Sequence, residues 1–153
     1  MADLLREGKR IPVFTAKTVK GAPFSYQSLL RKKRIVVLAL AKNPGTGDNG
    51  RAWLKTARDA ADELRKRDME IVIIAENPAQ IAETAELPAP PFVVLHDENR
   101  SLLDKMGGAP AFYLVGKDTG IKQATRACPT LSALFRQIDA MPMRRQEMRE
   151  RES

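Results

Sequence analysis

Few residues in this chain have the type and spacing for chemistry. Gly45-Thr46-Gly47-Asp48-Asn49-Gly50 fits G-x-G-x-x-G, a spacing whose small residues let a pyrophosphate reach a helix amino terminus. Its surroundings argue against a nucleotide. Lys42-Asn43-Pro44 separate the glycines from the strand before them, and the first acid ending the next strand, Glu76, lies 26 residues past Gly50. A dinucleotide site has its glycines directly after the strand and its acid ~20 residues on. Read as a phosphate loop, Gly45-x4-Gly50 continues with Arg51-Ala52 and lacks the Lys-Ser/Thr that takes phosphate and Mg²⁺. The plainer reading is a turn whose Asp48 or Asn49 caps a helix, with recognition of some other anion left open.

Cys128 is the one cysteine. It precedes Thr130, the expected cap of the last helix, so exposed amides would stabilise its thiolate, and Arg126 is close in sequence. Two readings stand: a lone reactive thiol working through mixed disulfides, and a small half-buried residue. His96, Asp97 and Glu98 end a strand, where neighbours point to opposite faces, so they do not converge on a metal. No metal site and no cofactor is expected.

The elements that must position these groups centre on Arg34–Leu54. The apolar run Ile35–Ala41 reads as a strand buried on both faces, and a helix follows the glycine turn to about Arg67. Trp53, Leu54, Ala57, Ala60, Ala61 and Leu64 give that helix one apolar face. Glu70–Ala75 is a second buried strand, closing a parallel, right-handed βαβ unit. Before it, Ile11–Lys20 alternates as an edge strand, and Ser25 caps a brief helix, Tyr26–Leu30. Later come a short helix within Pro78–Glu86, a strand at Phe92–Leu95 and a helix from the Asn99 cap to Met106, ended by Gly107-Gly108. Ala111–Gly116 and Ile121–Arg126 form a hairpin around Lys117-Asp118-Thr119-Gly120. Thr130 caps Leu131–Met141, which Pro142 ends or kinks. The order is ββαβαβαββα.

Length and charge bound the rest. With 153 residues and a net charge of +7, one domain buries roughly 70% of its unfolded surface without disulfides. Residues 1–34 hold nine Lys/Arg against two acids, a basic third that faces nucleic acid, an anionic surface or an acidic partner, or is simply solvated. No run approaches the ~20 apolar residues of a membrane span. A lone thiol without a signal peptide points to a cytoplasmic protein.

Three stretches carry a family resemblance. IPVFTAKTVKGAPFSYQSLLRKKRIVVLAL resembles the opening of the peroxiredoxin and thiol-reductase superfamily, and FVVLHDENRSLLDKMGGAPAFYLVGKDTG its later half. LFRQIDAMPMRRQEMRER resembles a bacterial family of small uncharacterised proteins related to thioredoxin-like domains of sushi-repeat and coiled-coil extracellular matrix proteins. The resemblance implies a thioredoxin-like three-layer α/β sandwich: a mixed central sheet, with a parallel βαβ half, a C-terminal β-hairpin and a peroxiredoxin-like N-terminal extension. Pro142 divides the chain into a domain over 1–142 and a charged tail over 143–153. The resemblance also places Thr46 near the family's threonine and Asn49 near its peroxidatic cysteine, but 42–60 contain no cysteine and the chain has no Cys-x-x-Cys. The arginine expected before the hairpin is replaced by Ala109-Pro110-Ala111. Pro110 is retained; in the superfamily the matching proline is cis and shapes a groove for extended peptides.

These readings converge on a redox-inactive binding or adaptor protein, or a subunit of a larger assembly, with a protein partner or a second copy of itself. The expected surfaces are the turn with Thr46, Asp48, Asn49 and Pro110, and a basic pair made of Arg31, Lys32, Lys33 and Arg34 with Arg144 and Arg145 of the tail. Met141-Pro142-Met143 adds soft apolar side chains beside charge. A single-cysteine oxidoreductase using Cys128 and a nucleic-acid-associated protein are the alternatives.

Overall fold

Strands β3 (Arg34–Ala39) and β4 (Met69–Ala75) are buried along their whole length, as the apolar runs from Ile35 and from Ile71 require. The computed structural model describes residues 3–40, 49–77, 79, 84, 86–97 and 100–152. Around this pair a five-stranded sheet is ordered β5-β4-β3-β6-β7, with β5 at Phe92–His96, β6 at Ala111–Val115 and β7 at Ile121–Thr125. β3, β4 and β5 run parallel, while β6 and β7 complete the sheet antiparallel. This is the mixed sheet expected, with the hairpin on the far side of β3.

Side-chain alternation divides β3 between two cores. Val36 and Leu38 face one with Trp53, Leu64, Phe112, Leu134 and Ile138. Ile35, Val37 and Ala39 face the other with Phe14, Tyr26, Leu103 and Tyr113. Each large apolar side chain so removed from water contributes about 1.5–3 kcal/mol before entropy is counted. The first layer holds α1 (Gly50–Asp59), α2 (Ala61–Lys66) and α4 (Leu131–Asp139); the second holds α3 (Ser101–Lys105) and the amino-terminal segment.

The structure departs from the sequence reading in three elements. The single helix expected up to Arg67 is broken at Ala60 (φ −105°, ψ 23°), whose N–H is shared between the Thr56 and Ala57 carbonyls. The break still leaves Ala57, Ala61 and Leu64 buried. Of the strand expected over Ile11–Lys20 only β1 (Thr15–Lys17) forms, paired with β2 (Pro23–Ser25) in a separate ribbon. Ile11 and Phe14 turn inward instead, with Phe14 stacked on Tyr26 at 5.0 Å. The brief helix after Ser25 is a 3-10 turn, Tyr26–Ser28. The break expected at Pro142 does form: α4 stops at Asp139 and Pro142 starts a new helix, α5 (Pro142–Glu152), where a missing N–H costs nothing. Most of the Pro78–Glu86 helix and the Asn99 cap lie outside the described residues. The work of starting α3 falls to buried Asp97, whose carboxylate accepts from the Leu102 and Leu103 amides at 3.2 and 2.9 Å.

Gly107 marks a close approach that only glycine allows. Its φ is +78°, and a Cβ there would stand 2.3 Å from the Asp3 carbonyl oxygen. Leu5 N–H meanwhile donates to the Tyr113 hydroxyl at 3.0 Å, which donates to the Met106 carbonyl at 2.6 Å. The amino-terminal segment is thereby held against the loop before β6.

Candidate functional site at the start of α1

Three segments meet beside the start of α1. Asn49 occupies the N-cap position, yet its side chain makes no capping bond. It reaches instead to the segment between β7 and α4: its Oδ1 accepts from Cys128 N–H at 2.7 Å, and its Nδ2 donates to the Cys128 carbonyl at 2.9 Å. Two residues back, the Arg126 guanidinium donates to the Pro110 carbonyl at 3.1 Å and the Gly107 carbonyl at 2.9 Å. The Ala109–Pro110 peptide bond is cis, as the resemblance implied. A chain of contacts thus runs from Asn49 through Cys128 and Arg126 to Pro110. Neither the amide-to-peptide clasp nor the Arg126 tie was read from the sequence. Thr46 and Asp48 lie outside the described residues.

Cys128 is 7% exposed and belongs to the buried cluster of Trp53, Phe112 and Leu134. Trp53 and Phe112 pack edge to face at 5.4 Å, a geometry that aromatic quadrupoles favour. Thr130 does cap α4, its hydroxyl oxygen accepting from Ala133 N–H at 3.2 Å. Cys128 is accordingly packed as a small apolar side chain, the plainer of its two readings. Glu98 lies outside the described residues, among which no group of three candidate metal ligands occurs.

The expected basic surface is divided by the structure. Arg31, Lys32 and Arg145 are exposed and Lys33 is partly so. Arg34 and Arg144, in contrast, have side chains only 1% and 7% exposed, and their charges are spent inside the protein. Arg34 donates to Glu147 and to the Arg67 carbonyl, and Lys117 pairs with both Glu147 and Asp68. Arg144 pairs with Asp139 and donates to the Lys66 carbonyl, while Arg67 bonds Asp139 and lies over the Phe135 ring at 4.1 Å. The physical reason is complementarity: α5 brings Glu147 to Arg34 on β3 and Lys117 in the β6–β7 turn, and Arg144 to Asp139 on α4. Burial works against the Glu147 charge, but the bonds from Lys117 and Arg34 outweigh it and hold its carboxyl below the usual range. Burial likewise opposes ionisation of Asp139 and Asp68, and Arg67 and Lys117 respectively reverse the balance. The tail is a docked helix.

The architecture is a thioredoxin-like fold. Against solved structures, the chain superimposes on the mitochondrial 2-Cys peroxiredoxin of Plasmodium falciparum with a TM-score of 0.70 at 12% identity, covering 88% of this chain and 93% of that one. The thiol peroxidase of Chromobacterium violaceum gives 0.66 at 16% identity, covering 100% and 91%. A secreted Mycobacterium tuberculosis disulfide oxidoreductase homologous to E. coli DsbE gives 0.66 at 21%, covering 84% and 96%. At such identities the likeness is one of fold. The chain belongs to the family described as Domain of unknown function (DUF4174), whose model matches residues 26–147. No curated protein matches. Among the described residues no helix is long and apolar enough to cross a membrane.

Proposed function

We propose that this chain acts as a redox-inactive thioredoxin-fold binding protein, an adaptor or a subunit of a larger assembly whose partner is a protein. The observation that carries this reading is the Asn49–Cys128 clasp. Asn49 stands at the start of α1, near where the superfamily resemblance places a peroxidatic thiol, and its two amide atoms are committed to the Cys128 backbone. An amide has no nucleophilic electron pair to offer a peroxide, and the thiol that the chain does have is buried. A thiolate works as a nucleophile only where it is both stabilised and reachable. What remains at this edge is a braced surface bearing exposed Asn49 and cis-Pro110.

The basic residues add to it less than their number implies. With Arg34 and Arg144 paired internally, the loop and tail patches keep Arg31, Lys32, Lys33 and Arg145, beside exposed Arg6, Lys9, Arg10, Lys17 and Lys20 of the amino-terminal third. The two withdrawn cations lessen what is available to nucleic acid, whose binding scales with the number of phosphates neutralised.

The test is affinity purification of the tagged protein from its native host, with and without Cys128→Ser. A stoichiometric partner that survives the substitution and moderate salt supports the adaptor reading. Recovery of disulfide-linked species alone, lost with Cys128, overturns it in favour of a single-cysteine oxidoreductase.

A further inference from the structure

A cavity of about 310 Å³ lies between the amino-terminal segment, the 3-10 turn and the β6–β7 hairpin. Its wall carries two guanidiniums, Arg10 and Arg31, together with Ile11, Val13, Leu30 and Thr119. No acid lines it, and neither arginine is ion-paired or hydrogen-bonded among the described residues. Two like charges on one cavity wall repel; both arginines are exposed, whereas the more deeply placed Arg34, Arg67, Lys117 and Arg144 each meet a carboxylate. This pair meets none.

Thr119 supplies the second, independent observation. It is 5% exposed, and its hydroxyl is buried without a hydrogen-bond partner. An orphaned buried hydroxyl costs about 1–3 kcal/mol, and such a group in a native structure calls for an explanation. Thr119 also holds a left-handed φ of +76°, and Arg31 one of +69°, a conformation that non-glycine residues adopt rarely. The hairpin and the lysine–arginine loop therefore present both residues to one cavity against their backbone preference. Val13, meanwhile, is one of only two large apolar side chains exposed among the described residues, at 55%.

From this constellation we infer that the cavity binds a small organic anion: a carboxylate or phosphate head between Arg10 and Arg31, with a short apolar body against Ile11, Val13 and Leu30. Guanidinium forks suit planar or tetrahedral oxyanions in bidentate fashion. The bound head supplies the acceptor that the Thr119 hydroxyl lacks. The volume is at the small end of ligand pockets, which limits the body to a few carbons. The inference uses none of the residues of the Asn49–Pro110 edge, so it stands or falls apart from the adaptor reading.

The full chain is titrated with inorganic phosphate, acetate and hexanoate, followed by amide chemical shifts. Expected are saturable shifts confined to the 10–13 segment, Arg31 and Thr119, with a Kd between about micromolar and millimolar. Hexanoate binding more tightly than acetate identifies an organic carboxylate; tighter binding of phosphate identifies a phosphate head. Arg10→Gln should weaken binding about tenfold, as should Arg31→Asn, asparagine being chosen because it tolerates left-handed backbone. Thr119→Val should weaken it several-fold without lowering the melting temperature, since it removes an unpaired polar group. Absence of saturable shifts with all three probes overturns the inference. So does binding that is indifferent to both arginine variants.

Discussion

Replacing Asn49 by alanine isolates the clasp at the start of α1. The substitution deletes one bond accepted from Cys128 N–H at 2.7 Å and one donated to the Cys128 carbonyl at 2.9 Å. At about 0.5–1.5 kcal/mol net for each, the pair is worth about 1–3 kcal/mol. Asn49 itself is exposed, so water recovers part of both bonds in the variant and the lower half of the range applies, about 1–2 kcal/mol. Because the clasp holds the backbone that carries the buried thiol, the same free energy governs local opening. Iodoacetamide labelling of native Cys128 should therefore accelerate about 5- to 30-fold. Asn49→Asp is the informative control. It keeps an acceptor for the Cys128 N–H but sets a carboxylate against the Cys128 carbonyl, and it should recover none of the loss. Urea unfolding followed by the fluorescence of Trp53, the chain's one tryptophan, measures the stability. A loss below about 0.5 kcal/mol, the ordinary effect of a surface substitution, together with unchanged labelling would refute the reasoning.

Other predictions follow from the docked tail and the cores. Glu147→Gln should destabilise by about 1–3 kcal/mol, since it leaves buried Arg34 with a weaker acceptor and Lys117 without one of its two carboxylates; thermal melts check this. Glu147, Asp139 and Asp68 all have carboxyls held below their usual range. Their contribution is therefore full above the ordinary carboxylate values of 4.5 and 3.8 and is lost as pH falls through the lowered ones. The gap in melting temperature between wild type and Glu147→Gln should accordingly close in acid, and a gap constant down to pH 2 would contradict the assignment. Gly107→Ala should cost about 1–2 kcal/mol for the left-handed backbone alone and release the amino-terminal segment from Asp3 onward, read as faster proteolysis there. Phe112→Ala, which empties the site against Trp53, should cost about 3–5 kcal/mol in urea unfolding.

How far the fold was legible depends on the range of the forces involved. β3 and β4 are written locally: a run of apolar residues too short for a membrane and too long for a turn has few places to go. The hairpin around Lys117–Gly120 and the Thr130 cap are equally local, and both form as read. The break at Ala60 was illegible, since alanine favours helix and nothing at 59–61 announces a stop. Asp97 was missed because its carboxylate caps from outside the helix, five and six residues ahead of the amides it accepts from. The candidate site was less legible still. Asn49 and Cys128 are 79 positions apart, and Arg34 and Glu147 are 113 apart. A charge run says nothing about which of its members will be buried until the partner's position is known. Arg34 and Arg31 look alike in sequence; one locks the tail and the other stays unpaired at a cavity.

The division of labour around α1 explains why a thioredoxin-like scaffold without a thiol at the helix start can keep its shape. A peptide edge joining a helix start, a pre-hairpin loop and a post-sheet segment has three sets of backbone groups to satisfy, and no regular ladder to satisfy them. Here two side chains do it. Asn49 occupies both hydrogen-bonding groups of the Cys128 peptide segment, and Arg126 takes two carbonyls of the 107–110 loop. Both side chains are polar, long enough to cross between segments, and chemically inert toward electrophiles. The groups that would have served a nucleophile, a helix start and a nearby cation, are used as structural donors and acceptors. An edge built in this way holds its form through contacts rather than chemistry, and an edge that holds its form at little entropic cost is what a partner's binding surface requires.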